Sequence, residues 1–387
     1  METWSAHQLL EAALPKLGAR AARALVDYSR GLSRNNVAVV FSLRHLSRIC
    51  AVDYRLLHQS VDRRREGANY RIFSISKRSG GRRFIHSPTP DLLRVQQFIN
   101  QEILQKVRPH PASFAFHPAG GIRRCALQHC RAKFIFHFDL ADFFYSVDEV
   151  RVYDTFISLG YRPLLSFEMA RLCTTTHLPR ETRDSVERWF DRKPYSSTKE
   201  LPYSHHWGKV GVLPQGAPTS PMLGNLAALG LDVDLAEFAD LKHLVYTRYA
   251  DDLTLSAHQY PSAKSISEIS SGVIRIVQSH GFSVNKKKTR IARAGSRKMV
   301  LGLLVDGEQP RVPQWTVTRI DRFFHAIEKF GLVSVARHHG FESGLGFYNH
   351  LQGLVAYLND VDPRRWTDFN ARLREVAVPW DACSVDL

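Results

Sequence analysis

The chain of 387 residues lacks the sequence features that mark several large classes of protein. Its five cysteines are an odd number and form no CxxC pair, so we expect neither a disulfide framework nor a zinc ribbon. No run approaches the roughly 18 consecutive apolar residues of a membrane span, and no basic stretch followed by an apolar run opens the N-terminus. With 44% hydrophobic and 23% charged residues, the composition excludes a disordered or fibrous chain. We expect a globular protein of the reducing cytoplasm with no membrane partner.

Acidic residues are scarce relative to basic ones, and the difference is concentrated in parts of the chain. There are 53 lysines and arginines against 37 aspartates and glutamates, a net charge of +16. Residues 62–83 hold eight basic and two acidic residues, 284–298 hold seven basic and no acidic residues, and 311–387 hold nine of each. A clustered excess favours a polyanionic partner, because each neutralised phosphate releases condensed counterions. From charge alone, a solvated basic face is the alternative; membrane-surface binding is weaker, since neither block has an apolar helical face.

Hydrophobic spacing predicts alternating helices and strands in the middle of the chain. Residues 70–86 alternate and break at Ser-Gly-Gly, which predicts a β-hairpin with a basic tip. Residues 133–139 predict a strand that ends at an aspartate, and 244–257 predict two strands that meet at two more. Helices are expected within 1–60, 92–103, 140–190, 222–241 and 266–277 and from about 315 onward, with a strand at 299–305. The order strand, helix, hairpin, helix, strand predicts an α+β fold with a split βαβ core.

Three aspartates are the candidate catalytic residues. Asp139 ends the first predicted strand, and Asp251 and Asp252 lie at the tip of the predicted hairpin. These strands are neighbours in a split βαβ core, so the three carboxylates can converge, and they then repel one another unless cations neutralise them. Hard oxygen ligands with positions left for water and phosphate suit Mg²⁺, and two such ions would serve a phosphoryl transfer. Each aspartate alone also fits a common structural role, as a turn residue or a helix cap.

The sequence around these aspartates closely resembles the palm of reverse transcriptases. The run YADDL at 249–253 is preceded by DLADFF at 139–144 and LPQGAPTSPMLGN at 213–225, in the order of that family. The resemblance covers roughly residues 30–360 and includes KRSGGRRFI at 77–85, NKKKT at 285–289 and VLGLLVDGEQPRV at 300–312. It implies an α+β right-hand polymerase, with an N-terminal helical region and fingers at 1–130, a palm at 131–310 and a helical thumb at 311–387.

The subfamily most resembled is the bacterial retron reverse transcriptases. Its members carry an Asn-Ala-x-x-His element before the first catalytic aspartate and a Val-Thr-Gly element late in the palm. The corresponding runs here are CALQH at 125–129 and VLG at 300–302, in which Cys125 and Leu301 depart from the pattern. Other defence-associated or group II intron-like reverse transcriptases share the same palm and stay open as alternatives, as does a catalytically inactive RNA-binding scaffold.

The resemblance implies a role for each matching residue. Asp139, Asp251 and Asp252 would bind two Mg²⁺ ions, or Mn²⁺ as a substitute, with the Leu140 carbonyl as a further ligand. Phe144 would act as a sugar gate, because a bulky apolar ring there leaves a ribose 2′-OH without room or a partner. The other nucleotide-binding residues would be Lys77 and Arg83 at the triphosphate, Gln215 and Gly216 beneath the nascent base pair, and Lys288 at the leaving pyrophosphate.

Simpler structural roles stay open at several of these positions. One residue of the Phe143-Phe144 pair is expected in the core. A hairpin tip that is merely solvated would have the same sequence, and Gly216 also fits a plain turn. Lys288 has two lysines directly before it. His129 has no metal-ligand spacing and is expected to be structural or RNA-facing rather than catalytic.

The implied reaction is RNA-templated DNA synthesis from deoxynucleotide triphosphates, in which a primer hydroxyl attacks the α-phosphate and pyrophosphate leaves. The retron resemblance further implies a structured non-coding RNA as template and primer, a DNA product joined to that RNA, a role in anti-phage defence and an effector protein encoded nearby. Because the thumb is neutral and the fingers are basic, we expect the thumb to select the RNA and the fingers to grip phosphates. No endonuclease or RNase H signature follows residue 310.

Overall fold

The structure, a computed structural model, describes residues 5–76, 80–180, 210–293 and 295–377. Within these ranges the helices are α1 (Ala6–Arg34), α2 (Leu43–Ile49), α3 (Tyr54–Val61), α4 (Glu66–Asn69), α5 (Pro90–Glu102), α6 (Ile122–Leu127), α7 (Glu149–Ser158), α8 (Pro163–Cys173), α9 (Ser220–Ala227), α10 (Leu229–Leu241), α11 (Ala263–Ser279), α12 (Gln314–Phe330), α13 (Leu332–His338), α14 (Gly344–Leu358) and α15 (Pro363–Glu375). The strands are β1 (Tyr70–Ser76), β2 (Arg82–Pro88), β3 (Phe134–Asp139), β4 (Val245–Tyr249), β5 (Asp252–Ala257), β6 (Arg290–Ala292), β7 (Met299–Val300) and β8 (Leu303–Leu304).

The central sheet has four strands in the order β4-β5-β3-β6, and all neighbouring strands are antiparallel. Along the chain, β3 is followed by helices, the hairpin β4–β5, helix α11 and then β6, so the predicted split βαβ order is confirmed. Alternate side chains lie on opposite faces of the sheet. Phe136, Phe138 and Leu253 lie on the face that shares the larger hydrophobic core with the helices. Asp139 and Asp252 lie on the opposite face.

The predicted strand at 299–305 is wrong, because this segment forms a small hairpin instead. Leu301 and Gly302 both have positive φ, +50° and +85°, and this conformation makes the two-residue turn between β7 and β8. The edge position next to β3 is taken by β6. With three residues, Arg-Ile-Ala, β6 is too short to give an alternating hydrophobic signal in the sequence.

The hairpin predicted at 70–86 is confirmed by the pairing of β1 with β2, which runs from Tyr70 opposite Pro88 to Ser76 opposite Arg82. Gly80 and Gly81 both have positive φ, +85° and +81°, a conformation that glycine adopts without strain. The tip residues 77–79, including Lys77, lie outside the described residues.

The predicted helices are mostly confirmed, and their ends follow local signals. Before α11, the Ser262 side chain accepts a hydrogen bond from the Ser265 backbone N–H and caps the helix. The buried residues Ile269, Val273 and Val277 recur every four positions along it. Gly281, with a φ of +70°, follows its C-terminal end. Within the predicted helical stretch 140–190, helices α7 and α8 account for most of 149–173, residues 174–179 form no helix, and 181–209 lie outside the described residues.

The C-terminal helices α12 to α15 have a second hydrophobic core of their own. This core includes Phe324, Phe347 and Leu351, and it also takes in Ile135 of β3, which joins the helices to the central sheet. The prediction of a helical region from about 315 onward is therefore confirmed as far as residue 375. Among the residues described, none of the helices is long and apolar enough to cross a membrane.

A buried cluster of charges joins the segment between α3 and β1 to helices α7 and α8. The Arg63 guanidinium lies 2.8 Å from Glu66 and 2.5 Å from Glu149, and Arg171 lies 2.8 Å from the second carboxylate oxygen of Glu149. All four side chains are largely buried. Because each charge has a partner, the cluster fixes α3 and α4 against α7 and α8.

Candidate active site

The three candidate aspartates lie at one end of the central sheet. Asp139 is the last residue of β3 and stands directly opposite Asp252, the first residue of β5. Directly opposed residues of an antiparallel pair project from the same face, with Cβ atoms about 4.5–5.5 Å apart. The Leu140 backbone N–H donates to the Asp251 carbonyl at 2.8 Å and ties the end of β3 to the turn that carries the other two aspartates. The structure therefore brings all three to one place.

A tight turn, Ala250-Asp251, joins β4 to β5, and Tyr249 pairs with Asp252 across its base. Ala250 has a φ of +56°, in the left-handed region that residues with a Cβ adopt at a cost. Its carbonyl accepts a hydrogen bond from Arg248 Nη1 at 3.2 Å. A side chain of the preceding strand thus contacts the turn directly.

The carboxylates are crowded enough to change one another's titration. Burial raises the pKa of Asp251, and the charge of Asp139 raises it further. The pKa of Asp252 is raised to about 6, first by loss of hydration around its carboxyl group and then by the charges of Asp251 and Asp139. The positive charges of Lys288 and Arg83 lower the pKa of Asp251 in opposition to these effects. A site with this excess of negative charge favours a bound cation.

Lys288 is the lysine that reaches the aspartates. Its Nζ lies 2.8 Å from Oδ2 of Asp139, and this hydrogen bond raises the pKa of Lys288. Asn285 sets up the contact, because its N–H donates to the Asp139 carbonyl at 2.7 Å and its own carbonyl accepts from the Lys288 N–H at 3.1 Å. Lys286 and Lys287 are exposed on the same turn.

The three aspartates offer the oxygen ligands that a divalent cation prefers, but their side chains are not arranged around a common centre. Asp139, Asp251 and Asp252 supply hard oxygen ligands, the type that Mg²⁺ prefers. Within the described ranges, however, no three His, Cys, Asp or Glu side chains are arranged to hold a metal ion as they stand. Asp139 contacts Lys288 instead. Lys288 bonds Oδ2 of Asp139, so its ammonium group would compete with a metal ion for that oxygen.

The hairpin β1–β2 carries one of the two predicted phosphate-binding residues within electrostatic range of the aspartates. Arg83, on β2, is close enough for its charge to lower the pKa of Asp251. Lys77 lies outside the described residues, so the other half of the predicted pair has no observed position.

The turn at Gln215 and Gly216 packs directly against the hairpin β1–β2. The Gln215 carbonyl accepts from the His86 N–H at 2.8 Å. Gly216 has a φ of +111°, and a Cβ placed there would lie 2.8 Å from Ile85 Cγ2 and 3.0 Å from the His86 carbonyl. Only glycine avoids both the backbone strain and the clash. The turn residues thus form a close junction with strand β2.

Phe143 and Phe144 have different environments. Phe143 is buried, and its ring stacks on Phe282 with centroids 5.8 Å apart. Phe144 is half-buried, and the centroid of its ring lies 6.3 Å from that of Phe116. Phe116 is itself 38% exposed. Phe143 is therefore the core residue of the pair, and Phe144 is the one open to the solvent side.

An open pocket of about 420 Å³ lies beside the turn Ala250-Asp251. It is lined by Gln105, Phe114, Phe116, His117, Pro118, Gly120, Gly121 and Tyr249. The loop at 114–121 supplies most of this lining and is joined to β4, because the Phe114 N–H donates to the Arg248 carbonyl at 2.8 Å. Except for Tyr249, the sequence pattern did not single out these residues, because they belong to a loop without periodic spacing.

His129 is a structural residue that packs on the sheet face carrying Asp139 and Asp252. It is fully buried, and its ring nitrogens lie 2.7 Å from Ser256 Oγ and 2.7 Å from Thr247 Oγ1. Burial lowers the pKa of His129 to about 3. Cys125 also contacts Thr247, with its Sγ 3.3 Å from Oγ1. Of the two roles expected for His129, the RNA-facing one is wrong because the ring has no exposure.

A buried ion pair behind the turn was missed by the sequence reasoning. Arg248 on β4 and Asp232 on α10 are fully buried and bonded to each other. Asp232 belongs to an unremarkable helical run, and no local pattern connects it to the YADD motif. The proximity of the two residues comes from the packing of α10 on β4.

Comparison with known proteins agrees with the resemblance seen in the motifs. A family model described as reverse transcriptase (RNA-dependent DNA polymerase) matches residues 75–311. The chain is 30% identical over 320 residues to the Retron Ec86 reverse transcriptase of Escherichia coli, covering 82% of this chain and 83% of that protein. It is 32% identical over 311 residues to the Retron Mx65 reverse transcriptase of Myxococcus xanthus, covering 80% of this chain and 66% of that protein.

A second Myxococcus xanthus protein, the Retron Mx162 reverse transcriptase, is 32% identical over 332 residues, covering 82% of this chain and 62% of that protein. A solved telomerase structure from Candida albicans covers 79% of this chain and 56% of that chain at 13% identity, with a TM-score of 0.39. A structural likeness at this level is too low to argue from, so the assignment rests on the family model and the sequence relatives.

Proposed function

The chain belongs to the reverse transcriptase family and is a retron-type RNA-directed DNA polymerase, and we propose that it copies part of a structured non-coding RNA into DNA by two-metal nucleotidyl transfer. The observation that carries the metal proposal is the position of Asp139 directly opposite Asp252, with Asp251 in the adjoining turn. Lys288 and Arg83 act electrostatically on this same group of carboxylates.

Asp139, Asp251 and Asp252 would hold two Mg²⁺ ions, or Mn²⁺ in their place, with help from the Leu140 carbonyl. When bound, the ions would neutralise charge on the transferring phosphate and activate the attacking hydroxyl. Lys288, once released from Asp139, would be free to hold a proton and a positive charge at the departing pyrophosphate. The protein's own contribution is otherwise positioning, because phosphoryl transfer needs little covalent work from side chains.

The remaining nucleotide contacts follow from the junction of palm and fingers. Arg83 would bind triphosphate oxygens through its planar fork, with Lys77 as its partner in the proposal. Gln215 and Gly216, packed on β2, would form the surface beneath the nascent base pair. Phe144, the half-buried residue of its pair, would contact the sugar of the incoming nucleotide and disfavour a 2′-OH.

For the template, we propose a folded RNA encoded beside the enzyme, primed from the 2′-OH of an internal guanosine. The product would then be DNA joined to RNA through a 2′,5′ bond. The support is the relatedness to retron enzymes over most of the chain. A-form RNA offers little sequence to side chains in its deep groove, so such an RNA would be recognised by shape, loops and backbone. The proposed setting is anti-phage defence in the cytoplasm, with an effector protein encoded nearby.

Co-expression with the neighbouring transcript tests the template and priming proposals. The expected result is a short DNA that copurifies with the protein and shifts in size after debranching. A DNA of unchanged size, made from an ordinary 3′-OH or with no primer, would move the protein to the alternative of another defence-associated or group II intron-like enzyme. A thumb exchange with a relative should change which RNA is used, whereas unchanged template choice would refute selection by the thumb.

A catalytically inactive RNA-binding scaffold is the alternative from another class. The three carboxylates argue against it, because a site without catalytic use has no physical reason to keep mutually repelling charges together. Primer extension on a generic RNA template with a DNA primer separates the two. An enzyme extends the primer in a reaction that depends on divalent metal, and a scaffold binds the nucleic acid without extending it.

A further inference from the structure

The ion pair between Arg248 and Asp232 is fully removed from solvent. Both side chains have 0% exposure, and they meet through two parallel hydrogen bonds, Nε to Oδ1 at 2.7 Å and Nη2 to Oδ2 at 2.6 Å. The Tyr246 hydroxyl donates to the same Oδ1 at 2.8 Å. This is the bidentate geometry that an arginine fork makes with a carboxylate.

The third guanidinium nitrogen, Nη1, faces away from Asp232. It donates to the Asn225 side-chain oxygen at 2.9 Å and to the Ala250 carbonyl at 3.2 Å. Asn225 is the last residue of the LPQGAPTSPMLGN run, and its amide donates to the Ala115 carbonyl at 2.7 Å. Arg248 therefore connects α9, α10 and the catalytic turn at one point inside the protein.

A buried ion pair is a poor device for stability alone. The cost of removing both charges from water is comparable to the attraction between them, and a well-packed apolar pair can be equally stable. What an apolar pair cannot do is donate a directed hydrogen bond to the Ala250 carbonyl. That carbonyl belongs to the one residue of the turn with a left-handed backbone, directly before Asp251.

We propose that Arg248 is a positioning residue for catalysis: held by Asp232 and Asn225, it fixes the Ala250 carbonyl and thereby the direction in which the turn presents Asp251 toward Asp139. This inference rests on the proposed role of Asp251 as a metal-binding residue. It assigns the pair a role in geometry rather than in stability. It also explains why the Asn225 side chain and the YADD turn, 25 residues apart, share one guanidinium.

The first test replaces the pair by apolar residues of similar volume, in the double variant Arg248→Met with Asp232→Leu. The double variant should stay folded at some cost in thermal stability, because the Tyr246 hydroxyl and the Asn225 side-chain oxygen each lose a partner. The kcat for primer extension at saturating nucleotide should fall about 100-fold, the effect of a small misplacement of a reacting group. The KM for nucleotide should change less than about threefold, because no nucleotide-binding contact is removed. The matched control is Tyr246→Phe, which removes a hydrogen bond to the same carboxylate without touching the turn and should leave kcat near that of the unaltered protein.

A second variant and a second measurement keep the test decisive. Arg248→Lys retains a positive charge near Asp232, but one ammonium group cannot replace the fork, so kcat should fall about tenfold in a folded protein. Mn²⁺ binding to the full chain without nucleic acid, followed by electron paramagnetic resonance, should weaken about tenfold or more in both variants.

Three outcomes overturn the proposal. They are unchanged kcat with unchanged Mn²⁺ binding in either folded variant, an equal loss of kcat in Tyr246→Phe, and unfolding of both Arg248 variants, which would make the pair a requirement of the fold. If the unaltered protein extends no primer, it is the proposed function that fails. The Mn²⁺ comparison then still decides whether Arg248 directs Asp251.

Discussion

Lys288 Nζ lies 2.8 Å from Oδ2 of Asp139, in an ion pair between residues 149 positions apart in the sequence. The lysine supplies the positive charge next to a carboxylate that is 7% exposed and surrounded by two others. If a bound metal ion displaces the ammonium group from Oδ2 of Asp139, as we propose, that group would be freed at the edge of the site. The same side chain then has one partner before substrate binds and another during the reaction.

Replacement of Lys288 by methionine should slow nucleotide incorporation by about 100-fold, because one preorganised positive group is lost from the site of developing charge. Lys287→Met is the matched control, since Lys287 is exposed on the same turn. Single-turnover incorporation rates measure both. Equal rates for the two variants would show that no single lysine of the three has this role.

Asp251→Asn and Asp252→Asn should each reduce primer extension by about a thousandfold or more, because a lost ligand removes charge stabilisation worth several kcal/mol. Folding should persist in both, since a polar substitution of this kind outside the core usually changes stability by about 0.5 kcal/mol or less. The measurements are gel-based primer extension and the free energy of unfolding in urea. Readily detectable extension by both folded variants would contradict the two-metal proposal.

Phe144→Ala should raise ribonucleotide incorporation relative to deoxynucleotide incorporation by about tenfold or more, because the ring that crowds a 2′-OH is removed. Phe143→Ala is the informative comparison. Its ring is buried against Phe282, so that variant should lose about 3–5 kcal/mol of stability without a specific change in sugar choice. Single-nucleotide insertion kinetics with both sugars decide between them, and a sugar effect confined to Phe143→Ala would place the gate there.

His129 should make the protein less stable at acidic pH. Its pKa in the folded protein is about 3, well below the ordinary value, because it is buried. Between pH 3 and the ordinary histidine pKa of about 6.5, the unfolded chain binds a proton that the folded protein does not. The contribution of this residue to stability is therefore fully present above about pH 6.5 and falls as the pH decreases. The loss from this residue is about 2 kcal/mol at pH 5.

Urea unfolding at pH 8 and pH 5 measures the effect. The variant His129→Gln should show a smaller decrease in stability between these two values than the unaltered protein does. An identical decrease in the His129 variant would assign the pH dependence to other groups.

The sequence by itself determined the parts of the molecule that depend on local pattern. The hairpin β1–β2, the strand that runs into Asp139, the hairpin that carries Asp251 and Asp252, and the helices after residue 314 follow from periodicity and turn residues. The family followed from motifs whose order is itself a property of the sequence. The short hairpin at 299–304 was not predicted, because two residues with positive φ interrupt an apolar run that is typical of a single strand.

Only the tertiary structure showed the contacts of side chains that the family resemblance could name but local pattern could not separate. Three consecutive lysines and two consecutive phenylalanines look alike in sequence, but one lysine reaches Asp139 and one phenylalanine remains outside the core. The pairing of Arg248 with Asp232 was also invisible beforehand, because α10 and β4 meet only when the chain is packed. The physical reason is the same in each case: secondary structure responds to the spacing of neighbours along the chain, whereas the partner of a side chain is set by elements that are distant in sequence and close in space.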